Sequence, residues 1–298
     1  MVKLIDLARG SIAFLLIVVN TLFWVLFFLY PLALLKFAVP VEGWRKLCNR
    51  GLDGIATSWI SVNSWNLAIT NRIKWTVSGL ENLKKRDWYL VLANHQSWSD
   101  ILVLQKVFNR KIPFLKFFIK QELIWVPVLG LAWWALDYPF MKRYSREFLE
   151  KHPELKGKDI EITRKACEKF KTLPVSVMNF VEGTRFTVDK RDRQKSSYRH
   201  LLKPRAAGTA FVLSTMGDYL RHILNVTIVY PGGARGLWEF LSGRVSEVRV
   251  RIESLPIPQK IKGDYFNDQD FQKQFQEWIN NLWADKDRVI EEMQSGGE

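Results

Sequence analysis

The chain has 298 residues and a mass of 34.9 kDa, with 44 Lys and Arg against 30 Asp and Glu, a net charge of +14. A composition of 48% hydrophobic and 25% charged residues excludes a disordered chain, and the charged share is too high for a polytopic transporter. Two cysteines, Cys48 and Cys167, exclude a disulfide framework or a Cys-rich zinc site and suit a reducing compartment.

From Gly10 to Leu35 there are 26 residues without a formal charge. As a straight helix they span roughly 39 Å, against about 30 Å for a bilayer core. The run is too long for a signal peptide, and no small-residue cleavage site follows it. Tyr30-Pro31 is a candidate helix break. Lys3 and Arg9 precede the run, and Lys36, Arg45, Lys46 and Arg50 follow it. These flanks fit a shallow hairpin with both ends cytoplasmic, or one span with the heavier basic flank inside. The remaining chain then lies at the cytoplasmic surface, where anionic lipid explains the positive charge.

Residues 44–72 carry Ile55, Trp59, Val62 and Ile69 at helical spacing, predicting an interfacial or core-facing helix. Strands are predicted at Lys74–Ser78 and Trp88–Ala93. The second ends in the polar run Asn94-His95-Gln96-Ser97-Trp98-Ser99-Asp100, after which a helical pattern begins. Phe114–Phe140 is apolar and Trp-rich, interrupted by Pro127 and Gly130, and reads as core with a membrane-facing rim. An amphipathic helix is predicted over Asp159–Lys171. Val175–Val181 is a strand ending in the polar turn Glu182-Gly183-Thr184-Arg185, followed by a charged, mobile loop over Lys190–Lys195. A helix at Arg205–Thr215, strands at Asn225–Tyr230 and Val245–Ile252, and a C-terminal helical stripe of Phe271, Phe275, Trp278 and Leu282 complete one α/β domain.

Two polar turns at strand ends are where open α/β sheets place ligands. His95 and Asp100, five residues apart, lie about 140° out of alignment on a continuous helix. They meet only if His95 sits in the turn and the chain folds back. A carboxylate on one ring nitrogen then fixes the tautomer and leaves the other as a base. Glu182-Gly183-Thr184-Arg185 offers a tight glycine turn and an arginine suited to bidentate phosphate binding, though taken alone it reads as a surface turn with a salt bridge. No nucleophile elbow, Walker loop, dinucleotide fingerprint or metal-ligand cluster is present. The pattern favours a base acting directly on a substrate hydroxyl, in one transfer step without a covalent enzyme intermediate; taken alone, His95 reads equally as a structural residue.

The run Asn94–Asp100 resembles the H-x4-D block of the glycerolipid acyltransferases, which include the 1-acylglycerol-3-phosphate acyltransferases. Phe180-Val-Glu-Gly-Thr-Arg185 resembles their F-P-E-G-T-R block, Phe140-Met141-Lys142-Arg143 the block ending in arginine, and Val226–Pro231 the last strand. Lys120-Gln-Glu-Leu123 with Pro127 and Gly130 follows the family's K-x-E-L…P…G pattern. The resemblance implies an α/β fold, a mixed central sheet flanked by helices, behind an N-terminal membrane-embedded segment. It divides the chain into an anchoring segment, 1–59, and a catalytic domain, 60–298. It implies His95 as general base, Asp100 as its orienting partner, and Lys120, Arg143 and Arg185 as ligands of a lysophospholipid phosphate. Glu182, Gly183 and Thr184 complete that phosphate site.

The implied donor is an acyl thioester on coenzyme A or acyl carrier protein, with no other cofactor and no metal. The partners are then lysophospholipid, anionic membrane lipid and the thioester carrier, with no nucleic acid, at a bacterial inner membrane. A non-catalytic scaffold binding anionic phospholipid is the alternative. Val181 and Thr227 stand where the family usually has proline, and Lys142 where many members carry an acid. The Lys142-Arg143 pair resembles the branch acting on larger lysophospholipids, which leaves the acceptor open.

Overall fold

In a computed structural model, residues 2–141, 164, 168–171 and 173–296 are described. The predicted Asp159–Lys171 helix lies mostly outside them, as do Lys142 and Arg143.

The chain opens with helix α1 (Val2–Trp24), a π turn (Val25–Leu29) and helix α2 (Tyr30–Ala38), which run on as one helix. Tyr30-Pro31 does not break it. Proline has no N–H to offer the i−4 carbonyl and its ring crowds that carbonyl. The π turn widens the ladder just before it, and the Tyr30 N–H reaches back to the Val25 carbonyl. The span Leu4–Ala38 is long and apolar enough to cross a membrane, and about 22% of its most apolar stretch is buried.

Helix α3 (Glu42–Thr70) returns alongside it. Asn20 donates to Asn63 Oδ1 (2.8 Å) and to the Trp59 carbonyl (3.0 Å), pairing the two helices through buried amides. Residue 59, where the sequence division falls, lies inside this helix. Both ends of the first helix are tied to the rest of the chain. Asp6 pairs with Arg244 (3.1 Å), and the buried Lys36 ammonium pairs with Asp137 (2.7 Å).

The central sheet contains β1 (Lys74–Ser78), β2 (Tyr89–Ala93), β3 (Leu115–Phe117), β6 (Ser176–Phe180), β7 (His222–Val229) and β8 (Glu247–Pro256). Their spatial order is β1-β8-β7-β2-β6-β3. Only the β7–β8 pair is antiparallel, so the sheet is mixed. Side chains alternate across it with period two. Leu90, Leu92 and Val177 face helices α7 (Ala206–Met216) and α9 (Gln269–Ser295). Val91, Ala93, Met178 and Leu224 face α4 (Ser99–Phe108) and α8 (Leu237–Leu241).

A two-stranded parallel sheet, β4 (Ile119–Lys120) with β5 (Phe140–Met141), flanks helix α5 (Leu129–Ala135). The segment from Lys190 is not a loop. Val188–Arg193 forms a short helix, α6, capped by the Thr187 hydroxyl, which accepts from the Lys190 N–H (3.2 Å).

Candidate active site

Strands β2, β3, β6 and β7 are mutually parallel, so their carboxyl ends share one edge. Ala93 is level with Phe180 and with Val226, and Phe117 with Met178. The runs beginning at Asn94, Phe118, Val181 and Tyr230 therefore all leave the sheet at that edge.

Asn94 fixes the first turn. Its buried amide donates to the Ile228 carbonyl (2.9 Å) and accepts from the Ile228 N–H (2.8 Å), joining β2 to β7 as a strand pair would. His95 lies in the turn and Asp100 in the first turn of α4. The fully buried carboxylate reaches back over the turn. Its Oδ2 accepts from the Gln96 N–H (2.6 Å), the Ser97 N–H (2.9 Å) and His95 Nδ1 (2.8 Å). This back-folding, similar to a helix capping box, removes the angular obstacle that five-residue spacing presents on a continuous helix. Asp100 Oδ1 accepts from the Tyr230 hydroxyl (2.7 Å). Burial and the adjacent carboxylate hold the Tyr230 phenol well above its ordinary value, so it stays a donor. With Nδ1–H on Asp100, His95 Nε2 carries the free lone pair. The imidazole stacks on Phe180 at 4.0 Å and remains partly exposed.

Glu182 ties the second turn to the first. Its Oε1 accepts from the His95 N–H (2.9 Å) and its Oε2 from the Leu202 N–H (2.8 Å). The side chain is fully buried. Burial pushes its carboxyl up to about 8, against the pull of the two N–H groups. Lys286 of α9 is also buried and donates to the Val226 carbonyl (2.5 Å). Burial pushes its ammonium down to about 7, with Glu182 and Glu253 acting in the opposite direction.

Gly183 adopts φ +68°, and a Cβ there would meet Arg205 Cδ at 3.1 Å. The turn thus needs glycine for both conformation and space. Lys190, predicted as part of a mobile loop, donates to Thr184 Oγ1 (2.9 Å) and the Arg185 carbonyl (3.0 Å), bracing the turn. The exposed Arg185 guanidinium lies 4.9 Å from the Trp98 ring centre. Lys120 is exposed and pairs in register with Met141.

His95, Asp100, Lys120, Glu182, Gly183, Thr184 and Arg185 thus converge on one edge; Arg143 lies outside the described residues. Tyr230, Phe180 and Lys190 complete the arrangement and were not assigned to it from sequence. The tyrosine ending a strand before Pro231-Gly232-Gly233 was the available signal. The arrangement can hold an oriented base beside exposed cations.

A sequence profile of the acyltransferase family matches residues 74–231. The chain is 23% identical over 232 residues to the 1-acyl-sn-glycerol-3-phosphate acyltransferase epsilon of Mus musculus, covering 70% of this chain and 58% of that protein. It is 21% identical over 264 residues to the 2-acyl-1-lysophosphatidylinositol acyltransferase of Saccharomyces cerevisiae, covering 73% and 64%. The chain therefore spans less than two thirds of the length of these curated relatives. The crystal structure of the 1-acyl-sn-glycerophosphate acyltransferase PlsC from Thermotoga maritima superposes with a TM-score of 0.61 at 20% identity, covering 99% of this chain and 98% of that one. With a profile match over more than half its length, this chain belongs to the glycerolipid acyltransferase family.

Proposed function

We propose that this protein is a membrane-bound lysophospholipid acyltransferase, moving an acyl chain from a thioester to a free lysophospholipid hydroxyl. The observation that carries the reading is the His95–Asp100–Tyr230 chain of hydrogen bonds at the sheet edge. His95 Nε2 takes the acceptor hydroxyl proton as the oxygen attacks the thioester carbonyl. Asp100 balances the imidazolium charge. The tetrahedral adduct collapses with cleavage of the carbon–sulfur bond, and the imidazolium returns its proton to the departing thiolate. No covalent enzyme intermediate is needed, because the thioester is already activated.

Arg185 and Lys120, with Arg143, bind the acceptor phosphate, and Glu182, Gly183 and Thr184 shape the turn that presents Arg185. The carrier is coenzyme A or acyl carrier protein. The basic surface and apolar N-terminal helix fit a bacterial inner membrane rich in anionic lipid, with the catalytic edge on the cytoplasmic face. The acceptor is lysophosphatidate or a related lysophospholipid, both represented among the relatives' names. Purified protein in anionic vesicles, supplied with acyl-coenzyme A and a panel of lysophospholipids, tests this. His95→Ala is expected to be at least ~100-fold slower, and unchanged turnover would overturn the assignment.

A further inference from the structure

Residues 121–135 form a hairpin outside the chemistry just described. Its arms are a 3-10 turn (Gln121–Trp125) and α5, joined at Pro127-Val128. The arms meet at backbone contact: a Cβ on Gly130 would lie 1.9 Å from the Ile124 carbonyl oxygen. Val128 adopts φ +65°, a conformation costly for a β-branched residue. Its carbonyl is held by the Tyr30 hydroxyl of the N-terminal helix (2.7 Å). The hairpin's inner face is shared core, with Ala132, Ala135 and Leu136 packed among Val25, Leu29, Ala33 and Leu52. Hairpin and N-terminal helix are thus one packed unit.

The outer face is the anomaly. Leu123, Trp125, Leu131 and Trp134 are all exposed, Trp125 to 85%. Isolated exposed apolar residues are ordinary, but four within twelve residues, two of them tryptophans, on the two arms of one hairpin mark a contact surface. It is not isolated from the apolar N-terminal helix: Phe37 stacks on Trp134 with ring centres 4.5 Å apart and planes 24° from parallel. The exposed apolar face of that helix therefore continues onto the hairpin. Gln121, Glu122 and Lys120 are exposed at its polar end. Trp125 lies five residues beyond Lys120 along the 3-10 turn, a rise of roughly 10 Å along its axis. That matches the roughly 5–10 Å depth to which interfacial segments sink.

We infer that this hairpin is a second membrane contact, whose Leu123, Trp125, Leu131 and Trp134 face seats in the interfacial layer of an anionic phospholipid bilayer. Tryptophan suits that layer, with an apolar ring and a wet N–H. Continuity with the N-terminal helix and the net positive charge favour lipid over a second protein. The catalytic edge is then held at headgroup level by its own domain, not only by the anchor. For Lys120 this means meeting the acceptor phosphate without lifting the lysophospholipid out of the bilayer. That last consequence rests on the proposed acyl transfer; the contact itself does not.

The test is a depth measurement on the full chain. Cys48 and Cys167 are replaced by alanine, and a nitroxide is attached through Trp125→Cys, through Leu131→Cys, or through Lys273→Cys on the exposed start of α9. Each protein is bound to vesicles of phosphatidylcholine and phosphatidylglycerol. Labels at 125 and 131 are expected to collide preferentially with oxygen and the label at 273 with a water-soluble nickel chelate. Trp125→Asp is expected to weaken vesicle binding about tenfold, near 1.4 kcal/mol. Labels at 125 and 131 as accessible to nickel as the one at 273 overturn the inference. So does exclusion of both reagents with spin–spin broadening, which would place a second copy over the patch. Adding His95→Ala leaves the depth readings unchanged, so failure of the catalytic reading is distinguishable from failure of this one.

Discussion

Asp100→Asn separates the charge of the orienting carboxylate from its hydrogen bonding. In the native site three N–H groups converge on Oδ2, and two of them, from Gln96 and Ser97, are backbone groups that cannot turn away. An asparagine must therefore point its carbonyl oxygen at them and its amide nitrogen at Tyr230, whose hydroxyl can rotate to accept. His95 Nδ1–H keeps an acceptor and Nε2 keeps its lone pair. What disappears is the negative charge facing the imidazolium. Unit charges about 4 Å apart at an effective dielectric of about 20 interact by about 4 kcal/mol, an upper limit. At about 1.36 kcal/mol per decade this is at most about a thousandfold in rate. The opposite amide orientation would force the proton onto Nε2, a fault that costs about ten-thousandfold in Ser-His-Asp enzymes. We expect kcat/KM to fall between about a hundredfold and a thousandfold. The assay is thiol release from acyl-coenzyme A with lysophosphatidate in vesicles, alongside nitrogen NMR of the histidine ring. A loss near ten-thousandfold with the proton on Nε2 refutes the backbone-clamp argument.

Three more outcomes follow from the same geometry. A carboxyl pushed up to about 8 keeps its proton in the folded state where the unfolded chain, near 4.5, has lost it, so Glu182 makes stability fall as pH rises through that window. Lys286, pushed down to about 7, acts in the reverse sense above that pH, because the unfolded chain keeps a proton the folded one has lost. Denaturant midpoints should decline from pH 5 to pH 7 in the native protein; in Glu182→Gln that decline should flatten, with about 1–3 kcal/mol lost at pH 5 because an amide cannot accept both N–H groups. Gly183→Ala should cost about 1–2 kcal/mol from its positive φ alone, lowering Tm and, by displacing the Arg185 turn, activity; an unchanged melting curve argues against strain there. Arg185→Ala and Lys120→Ala should raise KM for a lysophospholipid while leaving transfer to an uncharged monoacylglycerol unaffected, and an equal loss on both acceptors would remove them from phosphate binding.

The strands were readable because each is a short apolar run ending in a polar turn: Trp88–Ala93 and Val175–Val181 sit within a residue of the observed β2 and β6. The His95–Asp100 pairing was a candidate from type and spacing, but its geometry was not legible. That geometry depends on two backbone N–H groups of the turn and on Tyr230, which lies 130 residues from Asp100 in sequence. The Lys190 segment misled because its charges look like a solvated loop; Thr187 as cap and the bonds from Lys190 to the Thr184 turn make it a helix. The Tyr30-Pro31 break failed because a proline excludes one hydrogen bond, and a π turn supplies another route for the ladder.

That π turn also sets the phase of the helix. Buried positions recur at Gly10, Ala13 and Asn20, then at Val25, Leu29, Ala33 and Lys36. The π turn Val25–Leu29 lies between Asn20 and Lys36, sixteen residues apart, and takes up one residue more than an α-helical turn. The extra residue absorbs about 100° of rotation. One straight rod can therefore present Asn20 to Asn63 and Lys36 to Asp137 at once. Adding or removing a residue between those two points would swing one bond off its partner by the same angle. The length of this apolar helix between Asn20 and Lys36 is thus set by the protein contacts at those two points.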